Sequence, residues 1–279
     1  MCLVHTTGGA TVANMSRFIA AMDHSGGSTG GVLERYQQEY TEDNKMDLVH
    51  EMRLRMVNSE HFTNDNIWAA ILYKDTVERG MVDILAEKNI STFLKIDSGC
   101  TEDGLLKQFP ISQMIDFAIA NGCKGTKMRS IVTSGAVLEP ILTQQFAIAK
   151  TISDARLLPI IEPEIEIDDP DKRVHESMLA DRLYSKLDSI DYSVVLKLTL
   201  PEESNLYINL AEHPRVIKLV GLSGGYSTDE ACKRLSENDI MSASFSRALS
   251  EGLYANLNDN EFSEVLGWNI KKIVDASST

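Results

Sequence analysis

Eight short apolar segments recur along this 279-residue chain, and their spacing constrains the fold more than any other feature. Each segment is followed by enough residues to form a helix before the next one begins. Near-continuous apolar strands that alternate with helices are typical of a parallel sheet covered by helices. Eight such units favour closure of the sheet into a barrel. The predicted strands are Phe18–Asp23, Ile67–Tyr73, Thr92–Asp97, Gly125–Arg129, Leu157–Glu164, Val194–Thr199, Val216–Leu222 and Met241–Arg247.

The intervening segments have the periodicity of amphipathic helices that pack on such a barrel. Ser227, with Glu230 three residues later, forms a capping-box pattern that predicts the start of the helix after the seventh strand. Apolar residues also recur on single helix faces: Met46, Val49, Met52 and Met56; Val174, Met178, Leu183 and Leu187; and Phe262, Leu266, Ile270 and Ile273.

We therefore predict an α/β fold, a (β/α)8 or TIM barrel of parallel strands with outer helices. The length of the chain is close to the roughly 250 residues of one such barrel. No linker or low-complexity segment divides the sequence. Residues 1–279 are expected to form one domain, with residues 1–16 as a loose N-terminal segment because they show no clear periodicity.

The chain carries 41 acidic against 27 basic side chains, a net charge of −14. This excess argues against nucleic-acid binding and against binding to an anionic membrane surface. The negative net charge does not argue against a small phosphate ligand. The four cysteines form no CxxC pair, which suits a reducing compartment. The start shows no signal-peptide pattern, and no run approaches the roughly 18 apolar residues of a membrane span. We expect a cytoplasmic monomer or small homo-oligomer.

Charged residues lie in the C-terminal halves of several predicted strands, where a packed core would exclude them. Many come in pairs two residues apart, so that both members point to the same face of the strand. The C-terminal ends of the strands form the active site of a TIM barrel. These side chains are therefore predicted to converge on one polar pocket: Asp23, Lys95, Asp97, Lys127, Arg129, Glu162, Glu164, Lys197 and Arg247.

Lys197 lies within the segment VVLKLTL and has apolar residues on both sides. A free lysine with a pKa of about 10.4 has fewer than about one amine in a thousand neutral at pH 7. Apolar surroundings and a second cation such as Lys127 favour the neutral, nucleophilic amine. The alternative, a structural lysine buried against a carboxylate, is uncommon. We predict that Lys197 attacks a carbonyl group and forms a Schiff base.

Two Gly/Ser-rich turns follow strands and suit the binding of anions. Ser223, Gly224 and Gly225 end the seventh strand, and the loops after strands seven and eight are the usual phosphate site of this barrel. Arg247, one strand further round, adds a cation there. The second turn, DHSGGST, spans residues 23–29. Two such loops beside a lysine pocket predict a substrate with a phosphate at each end.

With these motifs the chain resembles class I fructose-bisphosphate aldolase, of the compact bacterial type, over residues 17–275. The motifs AAMDHSGGST, FLKID, GTKMR, PIIEPE, VVLKLT, LSGGYS and SFSRAL occur in the order and spacing of that family. The resemblance implies reversible cleavage of fructose 1,6-bisphosphate to dihydroxyacetone phosphate and glyceraldehyde 3-phosphate, in glycolysis or gluconeogenesis.

The resemblance also implies roles for individual residues. Lys197 corresponds to the Schiff-base lysine, Asp23 to the aspartate that assists carbon–carbon cleavage, and Glu162 to the acid and base of imine formation. Lys127 and Glu164 correspond to residues that tune these groups. The implied phosphate ligands are Ser223, Gly224 and Arg247 with the adjacent Gly225 at carbon one, and Ser28, Lys95 and Arg129 at the other end.

Other functions stay open at this point. The six histidines show no HxH or HExxH spacing, so a metal-dependent aldolase is disfavoured and neither a metal nor another cofactor is expected. Another lysine-dependent ketose-phosphate aldolase, such as a tagatose-bisphosphate aldolase or a transaldolase, shares the same chemistry. A non-catalytic barrel scaffold is the third alternative, although the presence of Lys197, Glu162 and Asp23 argues against it.

Overall fold

The computed structural model describes residues 16–25 and 27–277, and the side chains of residues 27 and 28 are outside that description. The expectation of a loose segment at residues 1–16 lies outside the described residues except at residue 16. Eight parallel strands form one sheet in chain order, which confirms the prediction of an α/β TIM barrel. The strands are β1 (Phe18–Met22), β2 (Ile67–Leu72), β3 (Ser91–Lys95), β4 (Gly125–Val132), β5 (Leu158–Ile165), β6 (Val194–Thr199), β7 (Val216–Leu222) and β8 (Ser242–Ala243).

Helices connect the strands and cover the outside of the barrel. None of the helices in the described part of the chain is long and apolar enough to cross a membrane. They are α1 (Gly27–Arg35), α2 (Lys45–Asn58), α3 (Lys74–Glu78), α4 (Met81–Glu87), α5 (Ile111–Ala120), α6 (Leu138–Asp154, after a 3-10 turn at Gly135–Val137), α7 (Lys172–Asp188), α8 (Ile208–Ala211), α9 (Thr228–Ser236), α10 (Arg247–Ser250) and α11 (Asp259–Ala276).

Successive residues of each strand alternate between two apolar layers, because side chains in a strand point to opposite faces. In β6, Val194 and Leu196 belong to the large core between barrel and helices, whereas Val195 belongs to the small cluster inside the barrel. Lys197 comes two residues after Val195 and therefore points inward. The members of the inner cluster are Ile19, Ala69, Ile71, Phe93, Ile160, Val195 and Val220.

The same alternation carries charged side chains inward on the neighbouring strands. Ile160 of β5 belongs to the inner cluster. Glu162 and Glu164 lie on the same face of that strand and therefore also point inward. Lys95 follows Phe93 by two residues on β3, and it pairs in register with Lys127 on β4. The inside of the barrel therefore has an apolar floor and a charged upper layer, the latter at the C-terminal ends of the strands.

The last strand is much shorter than the sequence predicts. The segment Met241–Arg247 was expected to be a strand, yet only Ser242–Ala243 form one. They pair with Val220 and Gly221 of β7, and the barrel closes where the N–H of Ala21 donates to the carbonyl of Phe245 at 3.3 Å. The segment is rich in serine and lacks the β-branched residues that favour strands.

The predicted helix faces agree with the structure in two of three cases. On α2, Val49, Met52 and Met56 are buried. On α11, all four predicted positions are buried: Phe262, Leu266, Ile270 and Ile273. The predicted Ser227 cap is present, since its side chain accepts the N–H of Glu230 at 3.2 Å and α9 begins directly after it.

The predicted inner face of α7 is wrong in its first turns. Val174 was expected to be buried, but it is 57% exposed. Its place on the buried face is taken by Lys172 and Glu176, which form a buried ion pair. Lys172 also donates to the carbonyl of Leu200 at 3.0 Å. The two charges satisfy each other, so hydropathy alone assigns them to the wrong side of the helix.

Candidate active site

Four charged side chains form a continuous chain of ion pairs at the C-terminal end of the barrel. The Nζ atom of Lys197 lies 2.9 Å from one carboxylate oxygen of Glu162. The other oxygen of Glu162 lies 3.1 Å from the Nζ of Lys127, which is also 2.7 Å from the carboxylate of Asp23. Lys197, Glu162 and Lys127 are each at most 5% exposed. Two cations and two anions thus neutralise one another where water is largely excluded.

The ion pairs keep both carboxyl groups ionised. Burial alone would raise the pKa of Asp23, but the charges of Lys127 and Lys197 outweigh it and hold that pKa well below its ordinary value. The pKa of Glu162 is lowered in the same way, since the same two lysines outweigh its burial. Burial would lower the pKa of Lys127, but the carboxylates of Asp23 and Glu162 raise it well above the ordinary value. Both carboxyl groups are therefore anionic at pH 7, and Lys127 is a cation.

A second carboxylate from β5 lies at the edge of this cluster. Glu164 accepts a hydrogen bond from the guanidinium of Arg129 at 3.1 Å. Burial raises the pKa of Glu164, and the positive charge of Arg129 offsets only part of that effect. The carboxyl group of Glu164 therefore binds a proton more readily than that of Glu162, two residues before it on the same strand.

The turn after β7 forms one end of the cavity. Gly224 and Gly225 have φ values of 58° and 126°, in the region that favours glycine. A Cβ atom on Gly224 would lie 2.7 Å from Ile167, and one on Gly225 would lie 3.7 Å from the guanidinium of Arg247. Ser223, both glycines and Arg247 line the same cavity. Backbone and guanidinium groups are therefore close together at this end.

The other end of the cavity is formed by β3, β4 and the turn after β1. The ammonium of Lys95 donates to the hydroxyl of Ser25 at 2.9 Å and lies 3.5 Å from the carboxylate of Asp97. Asp97 also accepts the backbone N–H of Arg129 at 3.3 Å. The side chain of Ser28, predicted at this end, lies outside the described residues.

A cavity of about 310 Å³ joins these groups. With Ser28 set aside, it brings together every residue that the sequence predicts for the site. Those lining it are Asp23, Lys95, Lys127, Arg129, Glu162, Glu164, Lys197, Ser223, Gly224, Gly225 and Arg247. Within residues 16–25 and 27–277, no group of three or more His, Cys, Asp and Glu side chains is arranged to hold a metal ion.

Two further groups that were not predicted for the site lie beside Asp23. Arg53 of α2 is 1% exposed and donates to the carbonyl of His24 at 2.8 Å and to the hydroxyl of Thr76 at 2.6 Å. The imidazole of His24 lines the cavity and lies 3.1 Å from the hydroxyl of Ser246. Burial, reinforced by the charge of Arg53, lowers the pKa of His24 to about 4. His24 is therefore neutral at pH 7.

No protein-family model matches this sequence. Among solved structures, barrels of the aldolase type are similar to it. A fructose-bisphosphate aldolase from Plasmodium falciparum superposes with a TM-score of 0.76 at 20% sequence identity, over 96% of this chain and 92% of the other. An archaeal fructose-1,6-bisphosphate aldolase has a TM-score of 0.56 at 9% identity, over 92% and 94% of the two chains. That archaeal structure has its catalytic lysine covalently bound to the carbinolamine intermediate of the substrate. At these identities the likeness shows the barrel fold.

Proposed function

We propose that this protein is a Schiff-base-forming aldolase that cleaves fructose 1,6-bisphosphate reversibly to dihydroxyacetone phosphate and glyceraldehyde 3-phosphate. The observation that carries the proposal is the buried contact of 2.9 Å between Lys197 and Glu162, within a cluster that also contains Lys127 and Asp23. A lysine with a proton acceptor at hydrogen-bond distance is the arrangement that amine catalysis requires. The barrels with similar structures that are fructose-bisphosphate aldolases support the same chemistry.

The first half of the reaction forms the imine. The ammonium of Lys197 first gives a proton to Glu162, which lies 2.9 Å away, and the resulting neutral amine adds to the ketose carbonyl. A second proton moves from the nitrogen to the former carbonyl oxygen, which gives a neutral carbinolamine. Glu162 then returns its proton to the departing hydroxyl, so that water leaves and a protonated imine forms. Lys127 holds the opposite oxygen of the same carboxylate in place.

The second half breaks the bond between carbons three and four. Asp23 takes the proton from the hydroxyl on carbon four, the bonding electrons move toward the protonated imine, and glyceraldehyde 3-phosphate leaves. The resulting enamine is neutral, so one of the positive charges that lower the pKa of Asp23 disappears in that step. The proton affinity of Asp23 rises at the point where it accepts the proton. Protonation and hydrolysis of the enamine then release dihydroxyacetone phosphate.

The two ends of the cavity suit a substrate with two phosphates. Ser223, Gly224, Gly225 and Arg247 would hold the phosphate on carbon one, with backbone N–H groups and a guanidinium. Lys95 and Arg129, together with Ser28, would hold the other phosphate. The volume of about 310 Å³ is at the lower end of the range for small-molecule pockets, about 300–1,000 Å³. The cleavage direction would serve glycolysis, and the reverse direction gluconeogenesis.

The decisive test is borohydride reduction in the presence of fructose 1,6-bisphosphate, followed by peptide mapping. The expected result is a covalent adduct on the Lys197 peptide of the wild type, and no adduct in Lys197→Arg. Lys218 on β7 is an internal control, because burial lowers the pKa of its amine to about 7 and leaves much of it neutral. An adduct on Lys218, or none at all, would contradict the proposal.

Two further measurements separate the remaining alternatives. Full activity after exhaustive chelation excludes a metal-dependent aldolase. Catalytic efficiency on fructose 1,6-bisphosphate is expected to exceed that on tagatose 1,6-bisphosphate, and the opposite ratio would assign the stereoisomeric substrate. A well-folded protein with no turnover on either would identify a non-catalytic barrel.

A further inference from the structure

The backbone of Glu162 is held by a side chain from outside the sheet. Gln145 of α6 is fully buried. Its amide oxygen accepts the N–H of Glu162 at 3.1 Å, and its amide nitrogen donates to the carbonyl of the same residue at 3.3 Å. A primary amide provides one acceptor and a donor side by side, the same pair that a neighbouring strand would present to this residue.

The ladder between β5 and β6 ends just before Glu162, whereas the ladder between β4 and β5 continues past it. Strands β5 and β6 pair at Ile160 with Val195 and at Ile161 with Leu196. Beyond these pairs, side chains replace the ladder between the two strands. The hydroxyl of Thr199 accepts the N–H of Ile165 at 3.1 Å and donates to its carbonyl at 2.6 Å.

The end of this ladder lies between the two strands that carry the central groups of the site, since Glu162 is on β5 and Lys197 is on β6. Without Gln145, the buried backbone of Glu162 would lose two hydrogen bonds and would be held by β4 alone. The backbone could then shift, and the carboxylate would move with it. The carboxylate has little room for such movement, since its two oxygens lie 2.9 and 3.1 Å from the two lysines.

We infer that Gln145 is a positioning residue that fixes the carboxylate of Glu162 between Lys127 and Lys197. Gln145 acts through the backbone of Glu162 and does not itself reach the substrate. The inference rests on the proposed function of Glu162 as the acid and base of imine formation. Removal of the amide is therefore expected to slow the chemical step more than substrate binding, because misplacement of a reacting group by about 1 Å can cost 100-fold in rate.

The neighbouring residue on α6 offers a matched control. Gln144 makes the same double contact with a different backbone: its amide oxygen accepts the N–H of Leu106 at 2.8 Å, and its amide nitrogen donates to the Leu106 carbonyl at 3.0 Å. Leu106 lies in the loop between β3 and α5, so Gln144 holds the backbone of a loop and not that of Glu162. Gln144→Met and Gln145→Met therefore remove equivalent hydrogen bonds from adjacent positions of one helix.

The test compares pre-steady-state imine formation, kcat, KM and the pH profile in these two variants. Gln145→Met is expected to slow borohydride-trappable imine formation and kcat at least tenfold, with KM changed less than threefold. Its acid limb should move to higher pH, because a displaced Glu162 loses the lysines that lower its pKa. Gln144→Met should stay within twofold of the wild type. Equal effects in both variants, or an unchanged pH profile in Gln145→Met, would overturn the inference.

A third variant and an NMR titration complete the test. Gln145→Glu offers a donor and an acceptor when its carboxyl group is protonated. At pH 6 it should therefore regain part of the rate of imine formation that Gln145→Met loses. If Gln145→Met does not fold, Gln145→Glu replaces it in the comparison with Gln144→Met. Carbon-13 NMR titration of the Glu162 carboxyl, assigned with Glu162→Gln, needs no substrate. If the wild type forms no imine, the proposed function fails, and this titration then tests the positioning role by itself. An unchanged titration in Gln145→Met would overturn that role.

Discussion

Replacement of Lys127 by Met would test the electrostatic design of the site. The substitution keeps an unbranched side chain of similar length and removes the ammonium, which is 2.7 Å from Asp23 and 3.1 Å from Glu162. At an effective dielectric constant of about 20, each contact contributes roughly 5 kcal/mol before the cost of burying the ions. Desolvation offsets much of this, so the free energy of unfolding at pH 7.5 should fall by about 3–5 kcal/mol, as it does when a buried ion pair loses one partner.

The loss of stability in Lys127→Met should become smaller as the pH is lowered. Asp23 and Glu162 have lowered pKa values in the folded wild type, so their contribution to stability is present above the unfolded pKa and is lost as pH falls through the folded pKa. In Lys127→Met, burial without this cation raises both folded pKa values. The folded variant then takes up protons more readily than before. The difference in stability between wild type and variant should shrink as the pH is lowered.

Urea unfolding at pH 7.5 and pH 5.0, followed by circular dichroism, measures this difference. Lys172→Met is the control, because it removes another buried lysine that pairs with Glu176 outside the cavity. It should lose stability without the loss of imine formation expected for Lys127→Met. A destabilisation of Lys127→Met below about 1 kcal/mol, or one that does not decrease at pH 5.0, would refute the reasoning.

Three other substitutions have expected outcomes. His24 has a pKa of about 4 in the fold against 6.5 in the unfolded chain. The free energy of unfolding of the wild type should therefore fall by about 3 kcal/mol through this group between pH 7 and pH 4. In His24→Gln this part of the pH dependence should be absent, and an identical slope in urea unfolding would contradict the prediction. Thr199→Val leaves both backbone groups of Ile165 without their partner and should cost about 1–3 kcal/mol, measured by urea unfolding. The hydroxyl of Tyr207 is buried and has no hydrogen-bond partner among the described residues, so Tyr207→Phe should keep the melting temperature or raise it; a clear decrease would reveal a partner.

The sequence predicts the parts of the site that depend on position within a strand. The spacing of two residues between Glu162 and Glu164, together with apolar neighbours on alternate positions, is sufficient to place them on one inner face. The position of Lys197 follows from the same rule. The barrel itself determines the surroundings of these residues. The alternation of side chains along each strand is therefore sufficient to place them inside it.

The sequence does not predict the partners that come from distant helices. Nothing in the pattern of α2 distinguishes Arg53 from a surface arginine, since it lies next to the buried Met52 and its partners are on other segments. The same holds for Gln145, because its hydrogen-bond partner is the backbone of Glu162, on another segment. On α7, the buried pair of Lys172 and Glu176 resembles two solvent-facing charges until the contact between them is known.

The alternation between the apolar floor and the charged upper layer limits how this chain can change in length. Insertion of one residue in β6 before Lys197 would send its amine into the layer beneath the helices and present Leu198 to the cavity, because the side-chain period of a strand is two. The connections between the elements are free of this constraint. Natural variation in length should therefore be confined to the loops, whereas the spacing from Val195 to Lys197 and from Ile160 to Glu162 should be invariant among functional descendants of this sequence.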